Sequence, residues 1–422
     1  MFFKKKKINF ESDSLSVITW KRFKRDKLAM LGLLVIFATC LISILGYTIC
    51  PDPTPFANDQ KPELNIKSPG FVAKFLKVNK NEKPVETSFF KEMFLGKTYD
   101  FNTYTVYNYF FKGDMILVEE YTGNTENAEK NNGNFSKFNI ADVVYHLNPN
   151  IKPSYDTVKG TITFTDYKNE VFTKPIIELR NKIATEHLTQ RKYYLGTDKL
   201  GRDLLSRLSI GTRISLGVGL VSVLISVVIG ILLGALAGFY RGKVDAAIMW
   251  LINVVWSLPT LLLVIAITLI LGKGIVQVFI AVGLTMWVEV ARIVRGQILS
   301  IREKEFVEAG RALGFKSMRV ILHHILPNVM GPVVVMAASN FASAILTEAG
   351  LSYLGIGAQP PVPSWGEMTS THHGYILMDK AYLAFIPGIA IMILVLAFML
   401  VGNGLRDALD TRSMDDKPIA ST

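Results

Sequence analysis

Cysteine is almost missing from this sequence: Cys40 and Cys50 are the two in 422 residues. With no C-x-x-C and no zinc-type spacing, a disulfide framework and a thiolate metal site are both excluded, and the pair reads as packing residues. Histidine is scarce too, at six. His323/His324 and His372/His373 are adjacent pairs, which cannot present the i, i+4 spacing of a helical metal site, so they are expected at surfaces or interfaces. Charged residues make up only 19% of the chain. No G-x-S-x-G, paired-carboxylate or Cys/His constellation falls at a consistent depth, so no catalytic residue, cofactor or metal is assigned. The tripeptide "GKT" at 96–98 suggests a phosphate loop, but Lys91 stands where the first glycine of that loop belongs.

Apolar residues are what the chain has in plenty. They make up 50% of it, with a mean hydropathy of +0.31, and they are gathered into long blocks. That is the composition of a polytopic membrane protein. The first block, 28–50, is roughly 34 Å long as a helix, too long for the apolar part of a secretory signal, and no A-x-A site follows it. It is read as a retained span. Five more blocks lie near 214–239, 246–271, 275–293, 329–349 and 384–401, which predicts an all-α membrane protein with six transmembrane helices.

The net charge of +11 could suit a nucleic-acid partner, yet no arginine-rich stripe with interleaved aromatics occurs. The basic residues crowd beside the apolar blocks instead, so membrane topology accounts for them and no nucleic acid is assigned. The N-terminal segment 1–27 with Lys4 to Lys7, the Arg241/Lys243 turn, the segment 292–319 and the Arg406/Arg412 tail fall on one side by alternation. That side is the cytoplasm, and both termini are expected there.

Segment 51–193 is then extracytoplasmic, and the core that carries the remaining spans runs from 194 to 422. The lysines of the insert do not contradict this, because the charge rule is weak for long translocated domains. In "TVKGTITFTDYKNEVF", Ile162 and Phe164 alternate with Thr161, Thr163 and Thr165 before a polar turn. The alternation predicts a β-rich or mixed domain between the first and second spans.

A loop at 294–328 separates the fourth and fifth blocks and contains "EKEFVEAGRALGFKSMRVILHHILPN". Phe306, Ala309, Gly310 and Leu313 fall at i, i+3, i+4 and i+7, with Glu303, Lys304, Glu308 and Arg311 off that stripe; Met318, Ile321, Leu322 and Ile325 repeat the spacing. Two short amphipathic helices are predicted. Gly314 stands where a left-handed residue would end the first, and Ser317 where a side chain would cap the second.

"EAGRALG", nine residues, then "HILP" resembles the cytoplasmic EAA loop of ABC-transporter permeases, with Gly310 in place of an alanine and His324 in place of an isoleucine. "LGTDKLGRDLLSRLSIGTRISLGVG", "ARIVRGQILSIREKEFVEAGRALG", "LTEAGLSYLGIGAQPPVPSWGEM", "GNGLRDALDTR" and the N-terminal "WKRFKRDKLAMLGLLVI" are similar to the C-type subunit of dipeptide and oligopeptide permeases. The resemblance covers the first 50 residues and everything after about 193, and it is silent on the insert.

It implies the type I ABC importer permease fold. It also implies ATPase coupling through Glu308, Ala309, Gly310, Ala312, Leu313, Gly314, Leu326 and Pro327. The partners it implies are a homologous B-type permease subunit, two cytoplasmic ATP-binding subunits, an extracytoplasmic substrate-binding protein and membrane lipid. Peptides are the implied cargo, with nickel chelates and glutathione-like molecules as alternatives, and the chain itself does no bond chemistry.

Trp250 and Asn253 stand where an arginine and an aspartate often occur in such permeases, which leaves the third span neutral; Met399 and Asn403 depart from polar and acidic positions in the last. Glu289 and Arg292 read as an i, i+3 anchor pair. Trp365, in "SWG", reads either as an interfacial anchor or as part of a pathway gate. A rival reading, an intramembrane enzyme or a membrane-anchored sensor, would need convergent titratable residues within the spans or a signalling domain after Leu405. The sequence offers neither.

Overall fold

The computed structural model describes residues 15–83, 88–123, 131, 133–272 and 274–409; Lys4 to Lys7 and Arg412 lie outside them. A short basic helix, α1 (Leu15–Phe23), leads into α2 (Lys27–Ile49), which fills the first apolar block. Asp26 starts α2 by accepting hydrogen bonds from the Leu28 and Ala29 amides, satisfying donors that have no partner inside the helix.

The insert holds β1 (Phe71–Asn79), α3 (Phe89–Leu95), β2 (Phe101–Lys112), β3 (Met115–Glu120), β4 (Phe135–Asn139), α4 (Ile140–Val144), β5 (Ser154–Asp156), β6 (Thr161–Thr165), β7 (Val171–Pro175), α5 (Ile176–Lys182) and β8 (Leu188–Tyr193). It is mixed α and β. Five strands form an antiparallel sheet in the order β4-β3-β2-β1-β8, and β5-β6-β7 form a second. Ile162 and Phe164 point inward as their alternation requires, joining Leu76, Val106, Ile116 and Leu179 in one core. The two ends of the insert meet: Lys67 donates its amide to the Thr197 hydroxyl at 2.8 Å.

Beyond it run α6 (Leu204–Tyr240), α7 (Gly242–Trp256), α8 (Thr260–Leu271), α9 (Ile275–Ile301), α10 (Glu305–Ala312), α11 (Ser317–Val320), α12 (Leu326–Tyr353), α13 (Trp365–His372) and α14 (Tyr382–Leu409). Five helices among the described residues are long and apolar enough to cross a membrane: α2, α6, α9, α14, and α12 taken with α11 as 317–353. The third expected span is not one helix. It breaks into α7 and α8, bent by 92°. Pro259 lacks an amide proton and disfavours helical dihedrals at the residue before it, and average hydropathy does not register such a break. The helix that carries the second span begins at Leu204, ahead of the apolar block, because Asp203 caps it through the Ser206 amide at 2.8 Å.

Small residues bring the spans together. A Cβ on Gly230 would lie 2.5 Å from Val290, on Gly234 2.5 Å from the Ala291 carbonyl oxygen, and on Gly238 2.9 Å from the Arg295 carbonyl oxygen. These three glycines, four residues apart, line one face of α6, where α9 packs backbone to backbone.

Candidate functional site

The segment between α9 and α12 is a short helix standing on a solid base. Val307 of α10 is fully buried with Val294 and Ile298 of α9, Phe239 of α6, and Ile321 and Ile325, which lead into α12. Arg302 donates to the Phe239 carbonyl, and the Arg311 guanidinium lies 5.1 Å from the centre of the Phe239 ring. Arg241 and Glu303 pair at 2.5 Å, but both are exposed, so the contact adds at most about 1 kcal/mol.

Gly314 has φ +75°. The amide of Phe315 donates to the Gly310 carbonyl at 3.1 Å and that of Gly314 to the Arg311 carbonyl at 2.9 Å. This is the Schellman arrangement, which satisfies the last carbonyls of α10 and needs a left-handed residue at Gly314. Ser317 does not cap the next helix. Lys316 occupies that position, with no side-chain cap, and α11 runs through a π-turn at Ile321–Ile325 straight into α12. The second amphipathic half is therefore the foot of the fifth span.

Of the two apolar stripes, Gly310, Ile321 and Ile325 are buried and the other members face outward. Leu313 is 74% exposed, Met318 61%, Leu322 48% and Phe306 44%. Glu308, Ala309 and Ala312 share this exposed surface, Pro327 is exposed as well, Leu326 is half-buried, and of the expected residues only Gly310 is buried. The result is one continuous surface, apolar with a carboxylate, on a helix whose other side is locked to the spans. Among the four paired histidines, expected at surfaces or interfaces, His324 stacks on Phe315 at 5.8 Å and His372 is 1% exposed, so His372 is not at the surface. "GKT" lies at the C-terminal end of α3, where Gly96 closes the helix, whereas a phosphate loop opens one.

A second constellation was not legible in the pattern. Arg202 pairs with Asp198 at 2.7 Å, and Arg207 lies 3.7 Å from the same carboxylate and 3.3 Å from Glu367 on α13. All four are largely or fully buried, so each charge depends on the others. Trp365 is pinned beside them: its indole N–H donates to the Leu208 carbonyl at 2.9 Å, and it is 4% exposed. It is not an interfacial anchor. The sequence signal for this cluster was charge concentrated ahead of an apolar block, within the family-like stretch 195–219, and nothing in it tied that stretch to Glu367.

A third feature lies at the break in the third span. Trp256 and Thr260 on either side of the break, Glu289 and Thr285 of α9, and Asn340, Ser343 and Thr347 of α12 line a cavity of about 270 Å³. Glu289 and Arg292 form no ion pair among the described residues. Arg292 turns instead to the Asn253 side-chain oxygen at 3.1 Å and lies 3.5 Å over Trp256, so Asn253 gains a partner that the sequence did not indicate. Among the described residues, the buried Asn340 amide nitrogen has no hydrogen-bond partner.

Comparison with known families agrees with this architecture. Residues 230–414 match the binding-protein-dependent transport system inner membrane component, and 14–69 the N-terminal TM domain of oligopeptide transport permease C. The dipeptide transport system permease protein DppC of Alkalihalophilus pseudofirmus is 40% identical over 221 residues, covering 52% of this chain and 72% of that protein. The glutathione transport system permease protein GsiD of Escherichia coli is 42% identical over 221 residues, 52% of this chain and 73% of its own. The oligopeptide transport system permease protein OppC of Bacillus subtilis is 37% identical over 242 residues, 57% and 79% respectively. Among solved structures, an inward-facing methionine ABC transporter aligns with 48% of this chain and 96% of its own at 20% identity, with a TM-score of 0.41, too distant to add to the case. The chain therefore belongs to the binding-protein-dependent transport family, as a multi-pass inner-membrane permease component of the oligopeptide permease C type.

Proposed function

We propose that this chain is half of an ATP-driven importer of short peptides. It pairs with a homologous B-type permease subunit and is driven by two cytoplasmic ATP-binding subunits, with both termini in the cytoplasm. An extracytoplasmic substrate-binding protein delivers the cargo on the side of the insert. The observation that carries this reading is the outward face of α10, where Leu313, Phe306 and Glu308 are exposed on a helix whose inner side is anchored by Val307. Such a surface suits a groove on a partner: apolar contact supplies affinity, the carboxylate supplies orientation, and the anchored base transmits a rigid-body movement to α9 and α12.

Relatives named for dipeptide, oligopeptide and glutathione transport support a peptide-like substrate. The polar cavity at the break in the third span supports a pathway at that place, because discontinuous helices free backbone polar groups for a passing solute. The test is co-expression with the partner subunits, comparing wild type with Glu308→Lys and Leu313→Asp. Both variants should insert normally, retain less ATPase on purification and lose substrate-stimulated transport. Normal ATPase retention and normal transport by both would reject α10 as the coupling element.

A further inference from the structure

The insert carries an apolar surface that its own core does not explain. In α3, Phe89 is 64% exposed, Phe90 68%, Phe94 56% and Leu95 62%. At about 100° per residue, positions 89, 90, 93 and 94 share an arc of roughly 140°, with Lys91 and Glu92 outside it. Three exposed phenylalanines on one seven-residue helix form a patch that water does not favour.

The position of α3 bears on what could cover it. Arg213 donates to the Met93 and Phe94 carbonyls, both at 2.8 Å, and the same guanidinium donates to the Ser43 carbonyl at 2.5 Å and the Ile44 carbonyl at 2.9 Å. Ser43 lies within α2, about 9 Å before its end at Ile49 at a rise of 1.5 Å per residue. The C-terminal end of α3 is therefore held beside the interior of a spanning helix, level with its exposed Leu41, Ile42, Ile44 and Leu45. Arg213 is also the last charged residue before the long apolar run of α6, so the lipid-spanning part of that helix starts beyond it. Lys91 and Lys97 are exposed on either side of the aromatic patch, where their stems can carry the ammonium groups out to lipid headgroups. The helix is held firmly, since the Lys97 amide donates to the Pro53 carbonyl at 2.7 Å and Gly96 packs against Pro53 and Pro55.

We propose that α3 is a membrane-surface helix: Phe89, Phe90 and Phe94 enter the lipid leaflet on the insert's side, continuous with the lipid-facing surface of α2, and fix the orientation of the insert against the bilayer. An aromatic face with flanking lysines, clamped at the depth of a span, matches the boundary between acyl chains and headgroups. A binding protein or a second subunit at this place would have to displace lipid from α2 as well.

The test uses full-length protein, assembled with its partner subunits in liposomes of phosphatidylethanolamine and phosphatidylglycerol. In a Cys40→Ala/Cys50→Ala background, nitroxide labels are placed at Phe90→Cys, at Phe94→Cys, and at Val158→Cys as a water-facing reference, 93% exposed in the structure. Collision rates are read with molecular oxygen, which concentrates in lipid, and with a water-soluble nickel chelate. At positions 90 and 94 the oxygen-to-nickel ratio should exceed that at 158 at least threefold. A ratio equal to that at 158 places the patch in water, and an immobile label shielded from both reagents places it under protein; either result overturns the proposal. Two labelled positions guard against one substitution disturbing the helix.

Discussion

A glycine inside α10 and a glycine just past its end should respond in opposite directions to the same substitution. Gly310 lies inside α10, and a Cβ added there would meet the Phe315 ring at 3.6 Å, an ordinary contact. Gly310→Ala should therefore stabilise the helix by about 0.8–1 kcal/mol, the usual difference between these residues in a helix interior. Gly314 has φ +75° and nothing within 4 Å of an added Cβ. There the cost is purely that of the backbone, and Gly314→Ala should destabilise the turn by about 1–2 kcal/mol.

The two variants should thus differ by about 2–3 kcal/mol, or roughly 30- to 140-fold in the local opening equilibrium. Hydrogen exchange over residues 305–316 in the full-length chain measures this directly: slower than wild type for Gly310→Ala, faster for Gly314→Ala. Equal exchange in the two variants would refute the Schellman turn as the closure of α10.

Gly234→Leu should prevent α6 and α9 from packing, because even its Cβ would lie 2.5 Å from the Ala291 carbonyl oxygen; loss of folded, detergent-stable protein would show it, and a normal yield would refute the close approach. Burial pushes His187 below its ordinary 6.5, despite its hydrogen bond to the Lys77 carbonyl. The unfolded state then takes up the proton first, so the insert should lose stability as pH falls below about 6.5, by at most about 1.4 kcal/mol per pH unit. Protease susceptibility of the insert should rise between pH 7 and 5.5 in wild type and less so in His187→Gln. Removing 71–193 with a short linker takes out both sheets whole, since the flanks already meet at Lys67 and Thr197. The shortened permease should still assemble with its ATPases but respond less to the binding protein, most clearly at low salt where the insert's lysines are least screened. Equal stimulation with and without the insert, at low and high salt, would reduce it to a spacer.

The sequence by itself determined whatever depends on a local pattern. Long apolar blocks showed where the chain can cross a membrane, alternation around Ile162 and Phe164 placed a strand, and a glycine just past an amphipathic run located the left-handed turn at Gly314. These readings work because propensity and hydropathy act over a few neighbouring residues. The packing partners had to come from the tertiary structure. Periodicity located an apolar stripe on α10 but could not tell that Val307, off that stripe, is the residue buried against α6, α9 and α12, while Leu313 is left in the open. Window-averaged hydropathy ran smoothly across Pro259 and hid a 92° break. Arg207 and Glu367 lie 160 positions apart, and nothing near either one shows that the other neutralises it. A buried charge is tolerated only beside its counter-charge, and which residues become neighbours is decided when the helices pack.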